Sequence, residues 1–512
     1  MSIGLPVKPG KTKPYPSPDS YEESSDEPST LENPMSLLGN RYFAIAWPVL
    51  FATIAASSYA MSDPISMFGA DASRNMVFNA TALPSTWDPE SGENILWKTA
   101  LGNETYAGPI ATATHIFVGT NNAKPRNSAL ADDRGVMMAF DVKTGEFLWQ
   151  ETHTKLEEGS LYDWPHQGVC STPAVDGDRL FYLSNRCEVI ALDVLGFRDG
   201  ENDGPEKEEP SKTDLSADRI WTLNMKSNLG VRPFNMTASS PLIVGDVVYT
   251  LTSNGRTKDN KVEAPDAPSF LALDKKTGKV LWQDNAPGPN IVDGQWSNAA
   301  FGVLDGQPTV LFPGGDGWLY AYEPKTGKQL WKFNCNPTSE EKDHPSGIIA
   351  SPVVHENHVY IGIGRNPEHG AMPGKLWALK PNGSGDLTGK IAVWMRGGDD
   401  FSLTLSTVAV AGGLVYAVDL NGIFVALDAK DGSVVWQHDT FANVWSSPLV
   451  ADGKVYLTTE EGDVYVFKHG REKKILHQVN MGDSIYTTPA VANGRIYIAT
   501  RTELFAIGAS SP

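Results

Sequence analysis

The chain has 512 residues, 41% of them apolar and 20% charged, with a formal net charge of −19. That acidity argues against DNA or RNA as partners, because nucleic-acid binders carry a basic balance or patch. Three cysteines (Cys170, Cys187 and Cys335) occur with no CxxC, CxxCH or adjacent pair, which excludes covalent c-type haem and the common zinc spacings and leaves free thiols as the expectation.

Residues 1–40 mix Pro and Ser with Asp19, Glu22, Glu23, Asp26, Glu27 and Glu32. They have almost no apolar periodicity and are expected to be disordered. Residues 41–61 follow, and from Tyr42 to Met61 there is no charge. Two readings stand side by side. One is a signal anchor, with Lys8, Lys11, Lys13 and Arg41 holding the front inside. The other is a cleaved signal peptide ending at Ser58-Tyr59-Ala60. A start at Met35 would give the second reading a short basic leader, "MSLLGNR". Both send the remainder out of the cytoplasm, to the periplasm or cell envelope. Residues 62–91 read as a linker.

From Trp97 onward the chain repeats itself. The pattern A-x-D-x-x-x-G-x-x-x-W fits Ala139/Asp141/Gly145/Trp149, Ala272/Asp274/Gly278/Trp282 and Ala426/Asp428/Gly432/Trp436. Ala321/Gly327/Trp331 fits with Glu323 in the acid position. Alternating apolar residues precede and follow an Asp-x-x-x-Gly turn, which predicts strand, turn, strand. Upstream lies a second phrase, clearest in "WSSPLVADGKVYLTT" from Trp445. It has a small-polar pair, Pro, apolar residues, a tight turn and "VY", and predicts another hairpin. Two hairpins make one four-stranded propeller blade.

Inner strands are predicted to start at Pro109, Pro173, Pro241, Ala299, Pro352, Val408, Pro448 and Pro489. Outer strands should carry Trp97, Trp149, Trp221, Trp282, Trp331, Trp394, Trp436 and Leu476. The first outer strand, "NILWKTALG", precedes any inner strand, and the last unit ends without one. The strand of Trp97 is therefore expected to complete the final blade and close the ring, which removes open sheet edges. The expectation is an all-β, eight-bladed β-propeller of four-stranded antiparallel blades over residues 92–508, with seven blades as the fallback. The seven Trp residues read as packing between blades, not as a cofactor stack.

Candidate functional residues precede the inner strands, at the mouth of the central channel. Four of those eight positions are aromatic: Tyr106, Trp296, Trp445 and Tyr486. Asn235 and Gln295 lie in the adjoining loops, as do the carboxylates Asp163, Asp293 and Asp400, which are the candidates for a catalytic base. Glu368 and His369 in "GIGRNPEHG" are a candidate metal-ligand pair. "HENH", His355 to His358, has metal-like spacing but falls where blade 7 has a hairpin turn. The insertion 198–217 reads as a charged, mobile loop of blade 2.

These repeats resemble the PQQ-repeat, quinoprotein-like propellers over residues 92–508. Segments such as "DWPHQGVCSTP", "GQWSNAAFG" and "PGGDGWLYAY" also resemble PQQ-like propellers of planctomycete-type bacteria. The resemblance implies one of two functions. Dehydrogenases of the family hold PQQ and Ca²⁺ in the channel. Outer-membrane assembly propellers bind no cofactor and scaffold protein partners. The dehydrogenases place an adjacent-cysteine disulfide against the quinone, and this sequence has none. The expectation is a monomeric, extracytoplasmic propeller binding a protein partner or small ligand on one face, tethered to the membrane if the apolar segment is retained. The alternative is a PQQ/Ca²⁺-dependent alcohol or sugar oxidoreductase, and a carbohydrate-binding channel is a third, weaker reading.

Overall fold

The computed structural model describes residues 66–509 apart from 160, 210, 337–344 and 365–372. The leader 1–40, the apolar run 41–61, and Glu368 with His369 lie outside the described residues. The chain forms eight sheets, each containing four antiparallel strands, in sequence order in all but the last blade. Blade 1 is typical, with strands Ile110–Ala111, His115–Asn121, Arg134–Asp141 and Phe147–Thr154. Ring closure is as the sequence predicts. Ile95–Ala100 pairs antiparallel with Glu503–Ile507 and completes blade 8.

The repeated motif has a packing logic. Its Ala stands opposite its Trp in the register: Ala139 to Trp149, Ala272 to Trp282, Ala321 to Trp331 and Ala426 to Trp436. A small residue there leaves room for the indole. Each indole then reaches the next blade. Trp97 Nε1 donates to Val142 O at 3.3 Å, and Trp221 Nε1 to Lys275 O at 3.0 Å. The turn glycine receives the ring of the preceding blade. Gly145 (φ +70°) and Gly278 (φ +68°) would each place a Cβ 2.5 Å from that ring. Ala, Gly and Trp thus serve one joint repeated around the circle, and each buried indole brings a large apolar area to it.

The stretch ahead of the ring forms a strap. It runs along the innermost strands at the channel end where their hairpins turn. Ser66 pairs with Val175 of blade 2 through two backbone bonds of 2.9 and 2.7 Å. Ala72 O accepts from Phe301 N of blade 4, and Ser73 O from Val354 N of blade 5. The Asn75 side chain bonds both N and O of Val410 in blade 6, at 2.9 Å each. Val77–Phe78 adds as a parallel fifth strand to Leu449–Ala451 of blade 7. The contacts repeat one offset: each inner-strand residue is two after that blade's Pro or its equivalent. Those edge N–H groups need acceptors, and the strap supplies them.

Arg74 pins the strap. It is fully buried and donates to three carbonyls: Phe68 O at 2.7 Å, Ala299 O at 2.7 Å and Ser240 O at 2.9 Å. Burial pulls its pKa down to about 9, opposed by the charge of Asp71.

Candidate functional site

The two channel ends differ in chemistry. At the strap end, a cavity of about 950 Å³ opens between the strap and the inner strands of blades 8, 1 and 2. Its walls include Ser66, Phe68, Ala111, Val175 and Val491. The opposite end is formed by the loops that join each outer strand to the next inner strand. The four predicted aromatics precede the inner strands at this second mouth.

Three of the four predicted aromatics come together because blades 7, 8 and 1 are neighbours. The rings of Tyr106 and Tyr486 stack at 4.8 Å, and Trp445 meets Tyr486 edge-on at 5.9 Å. All three are half-buried. Carboxylates frame them. Glu460 Oε2 accepts from Trp445 Nε1 at 2.9 Å. Glu104 hydrogen-bonds with Tyr106, and burial raises its carboxyl above the usual range. Burial and the charge of Glu104 raise the Tyr106 phenol. Asp483 is taken up by the blade 8 loop, accepting from Thr502 N at 3.0 Å and Thr502 Oγ1 at 2.8 Å. Trp296, in blade 4, does not join this group. It stacks on Phe234 at 5.9 Å and donates to Phe234 O.

The predicted carboxylates are engaged elsewhere. Asp163 is buried and ion-paired with Lys155, and accepts from Asn185 Nδ2 at 2.8 Å and Leu156 N at 3.0 Å. Burial raises its carboxyl, opposed by Lys155. Asp293, also buried, pairs with Arg256 at 2.7 Å. Asp400 is exposed on the outermost strand Ala392–Ser402 of blade 5, paired with Arg396 at 3.5 Å. Asn235 holds a left-handed backbone (φ 62°) and clasps Leu161 O and Trp164 N. It lines a small cleft of about 330 Å³ with Trp164 and Phe234. Gln295 is fully buried: its Oε1 accepts from Gly315 N, while its Nε2 has no partner among the described residues.

All three cysteines are free and buried. Burial pushes the Cys170 and Cys187 thiols up to about 12. Within "HENH", His355 and His358 are opposite partners of a hairpin whose turn holds Glu356 and Asn357 at positive φ.

Residues 61–257, 163–291, 220–384 and 374–511 match the family described as outer membrane protein assembly factor BamB. The chain belongs to this family. It is also similar to a polyvinylalcohol dehydrogenase of Pseudomonas sp., at 24% identity over 66% of this chain and 59% of that protein. A quinoprotein ethanol dehydrogenase of Pseudomonas putida is 36% identical, over 19% of this chain and 13% of its own length. The chain therefore spans less than two thirds of the length of these relatives. Among solved structures, BamB from Moraxella catarrhalis covers 82% of this chain and 98% of its own, with a TM-score of 0.50 at 15% identity. That likeness concerns the fold.

Proposed function

We propose that the protein is an extracytoplasmic binding propeller that takes a protein partner or small ligand at the long-loop mouth and does not itself carry out redox chemistry. The observation behind this reading is how the mouth spends its polar groups. Asp163 and Asp293 are already neutralised by Lys155 and Arg256, and Asp400 stands on an outer strand. What the mouth offers is the half-buried ring cluster Tyr106–Tyr486–Trp445, the kind of rigid aromatic surface on which partners anchor. The family match, named for an assembly factor, supports the same reading, as does the uncharged run Tyr42–Met61 for a place outside the cytoplasm.

The similarity to a polyvinylalcohol dehydrogenase supports a second reading, a PQQ/Ca²⁺-dependent oxidoreductase. The residues present do not fit that cofactor well. A quinone-bound Ca²⁺ takes six to eight oxygen ligands, and the catalytic step needs a free carboxylate as base. Asp163, Asp293 and Asp400 are ion-paired, and the cysteines are buried and separate.

Titrating the full-length protein with PQQ and Ca²⁺ separates the two. The binding reading expects no stoichiometric change in quinone absorption and no alcohol-dependent dye reduction. It also expects partners to be recovered by cross-linkers placed at Trp445 or Tyr486 in cells. Stoichiometric quinone uptake with dye reduction would reverse the order.

A further inference from the structure

Blade 2 carries an excursion between its third strand, Glu188–Asp193, and its fourth, Arg219–Asn224. It gathers oxygen atoms. One carboxylate oxygen each from Asp193, Asp199 and Asp203 lies within 4.8 Å of the other two. Among the described residues, the ion pairs that reach these carboxyls come from Arg179, at 2.6 Å from Asp193 and 3.6 Å from Asp203. One guanidinium leaves three carboxylates under-neutralised.

A second, independent observation lies beside them. Asp218 is 1% exposed. Its Oδ2 accepts from Asp203 N at 2.6 Å, while its Oδ1 is buried with no hydrogen-bond donor. Asn202 Oδ1 and Glu209 Oε1 are buried without donors as well; the Glu209 side chain is only 2% exposed, and its other oxygen lies 3.5 Å from Lys212 Nζ. Buried oxygens without donors are costly. Three of them lie in one short excursion, next to clustered carboxylates.

The local sequence has the form of a calcium loop. Asp199-Gly200-Glu201-Asn202-Asp203-Gly204 places acids at positions one, three and five and a glycine at six, the front half of the EF-hand spacing. Gly204 takes the turn with φ +68°. The back half differs, since the twelfth position is Pro210, and Asp193 and Asp218 come from the flanking strand end and loop.

We propose that this excursion is a structural Ca²⁺ site, with Asp193, Asp199 and Asp203 as ligands and the Asp218, Asn202 and Glu209 oxygens behind them. The donors are oxygen only, which suits a hard divalent cation, and their spread suits the irregular six-to-eight-fold shell of Ca²⁺ better than the tight octahedron of Mg²⁺. The site lies at the outer strands of blade 2, apart from the channel, and does not depend on the proposed function.

Trp149 makes the test direct. Its Nε1 donates to Val194 O at 3.1 Å, one residue from Asp193. Tb³⁺ added to the full-length protein should luminesce on tryptophan excitation and be displaced by Ca²⁺ far more readily than by Mg²⁺. The expected Ca²⁺ dissociation constant lies between about 10⁻⁵ and 10⁻³ M. Asp199→Asn, at an exposed position, should weaken binding about tenfold or more, because affinity follows ligand charge. Ca²⁺ should also raise the melting temperature of the parent protein but not of that variant. Asp246→Asn, on an exposed carboxylate of blade 3, should change nothing. Absence of sensitised emission would overturn the proposal. So would equal displacement by Mg²⁺, or equal loss in both variants, since each would describe a diffuse acidic surface.

Discussion

The two ends of the channel are built from different materials. The strap end is held mainly by main-chain hydrogen bonds and one buried guanidinium, and its contacts follow a single offset on blades 2, 4, 5, 6 and 7. The long-loop end is lined by side chains, three rings with carboxylates around them, and differs from blade to blade. Backbone pairing tolerates many sequences and gives stability, while individual side chains give recognition. This ring keeps structure at one mouth and variable chemistry at the other.

Five substitutions test that contrast. The largest effect is expected at Arg74. Arg74→Ala strands three carbonyls whose bonds to a charged donor contribute about 1.5–3 kcal/mol each, partly offset by recovered hydration of the guanidinium. A loss of about 3–5 kcal/mol in urea unfolding is expected, with partner cross-linking at Trp445 retained. A loss below about 1 kcal/mol would mean that the strap is ornamental. Asn75→Ala comes next. It removes both bonds to the Val410 backbone and should cost about 2 kcal/mol, one ordinary hydrogen bond at about 1 kcal/mol counted twice.

At the opposite end the order should invert. Tyr486→Ala breaks two aromatic pairs worth about 0.5–1.5 kcal/mol each, so unfolding should shift by only about 1–2 kcal/mol. Partner or ligand capture should nevertheless be lost. If capture survives Tyr486→Ala and Trp445→Ala together, recognition lies elsewhere on the ring.

The smallest effect is a slope. Asp316, in the blade 4 loop of the same end, is pushed up to about 6 by burial, although Tyr320 Oη and Trp318 N donate to it at 2.7 and 3.1 Å. Its folded pKa exceeds the unfolded value, so the folded state binds this proton more readily. Stability from this group therefore grows as pH falls from about 6 towards 4, and is absent above 6. Asp316→Asn should flatten the rise in melting temperature on acidification through that window. An unchanged slope would show that the carboxyl titrates normally.

Much of the ring was legible in advance. The repeated Ala, Gly and Trp encode one joint, and the unpaired first and last strands encode closure, because each signal is local and periodic. The mouth was legible in part. Tyr106, Trp445 and Tyr486 meet because consecutive blades are adjacent and the last adjoins the first, whereas Trp296 lies three blades from the nearest of them and finds Phe234. Arg74 carried no signal. Its partners are carbonyls 166 and 225 residues away, and a carbonyl has the same character in every residue. The Asp199–Gly204 spacing was present in the sequence but sat within a charged insertion. Only the approach of Asp193 and Asp218 from outside that insertion separates it from a solvated loop.

The amino-acid order alone determined the repeating blade unit, the turn positions and the packing role of the indoles, since all depend on neighbours in sequence or on the next repeat. Tertiary structure decided which end of the channel carries the strap, which carboxylates are neutralised and where buried oxygens lack donors. Those outcomes depend on burial and on through-space charge, which arise only once distant segments share a dry interior.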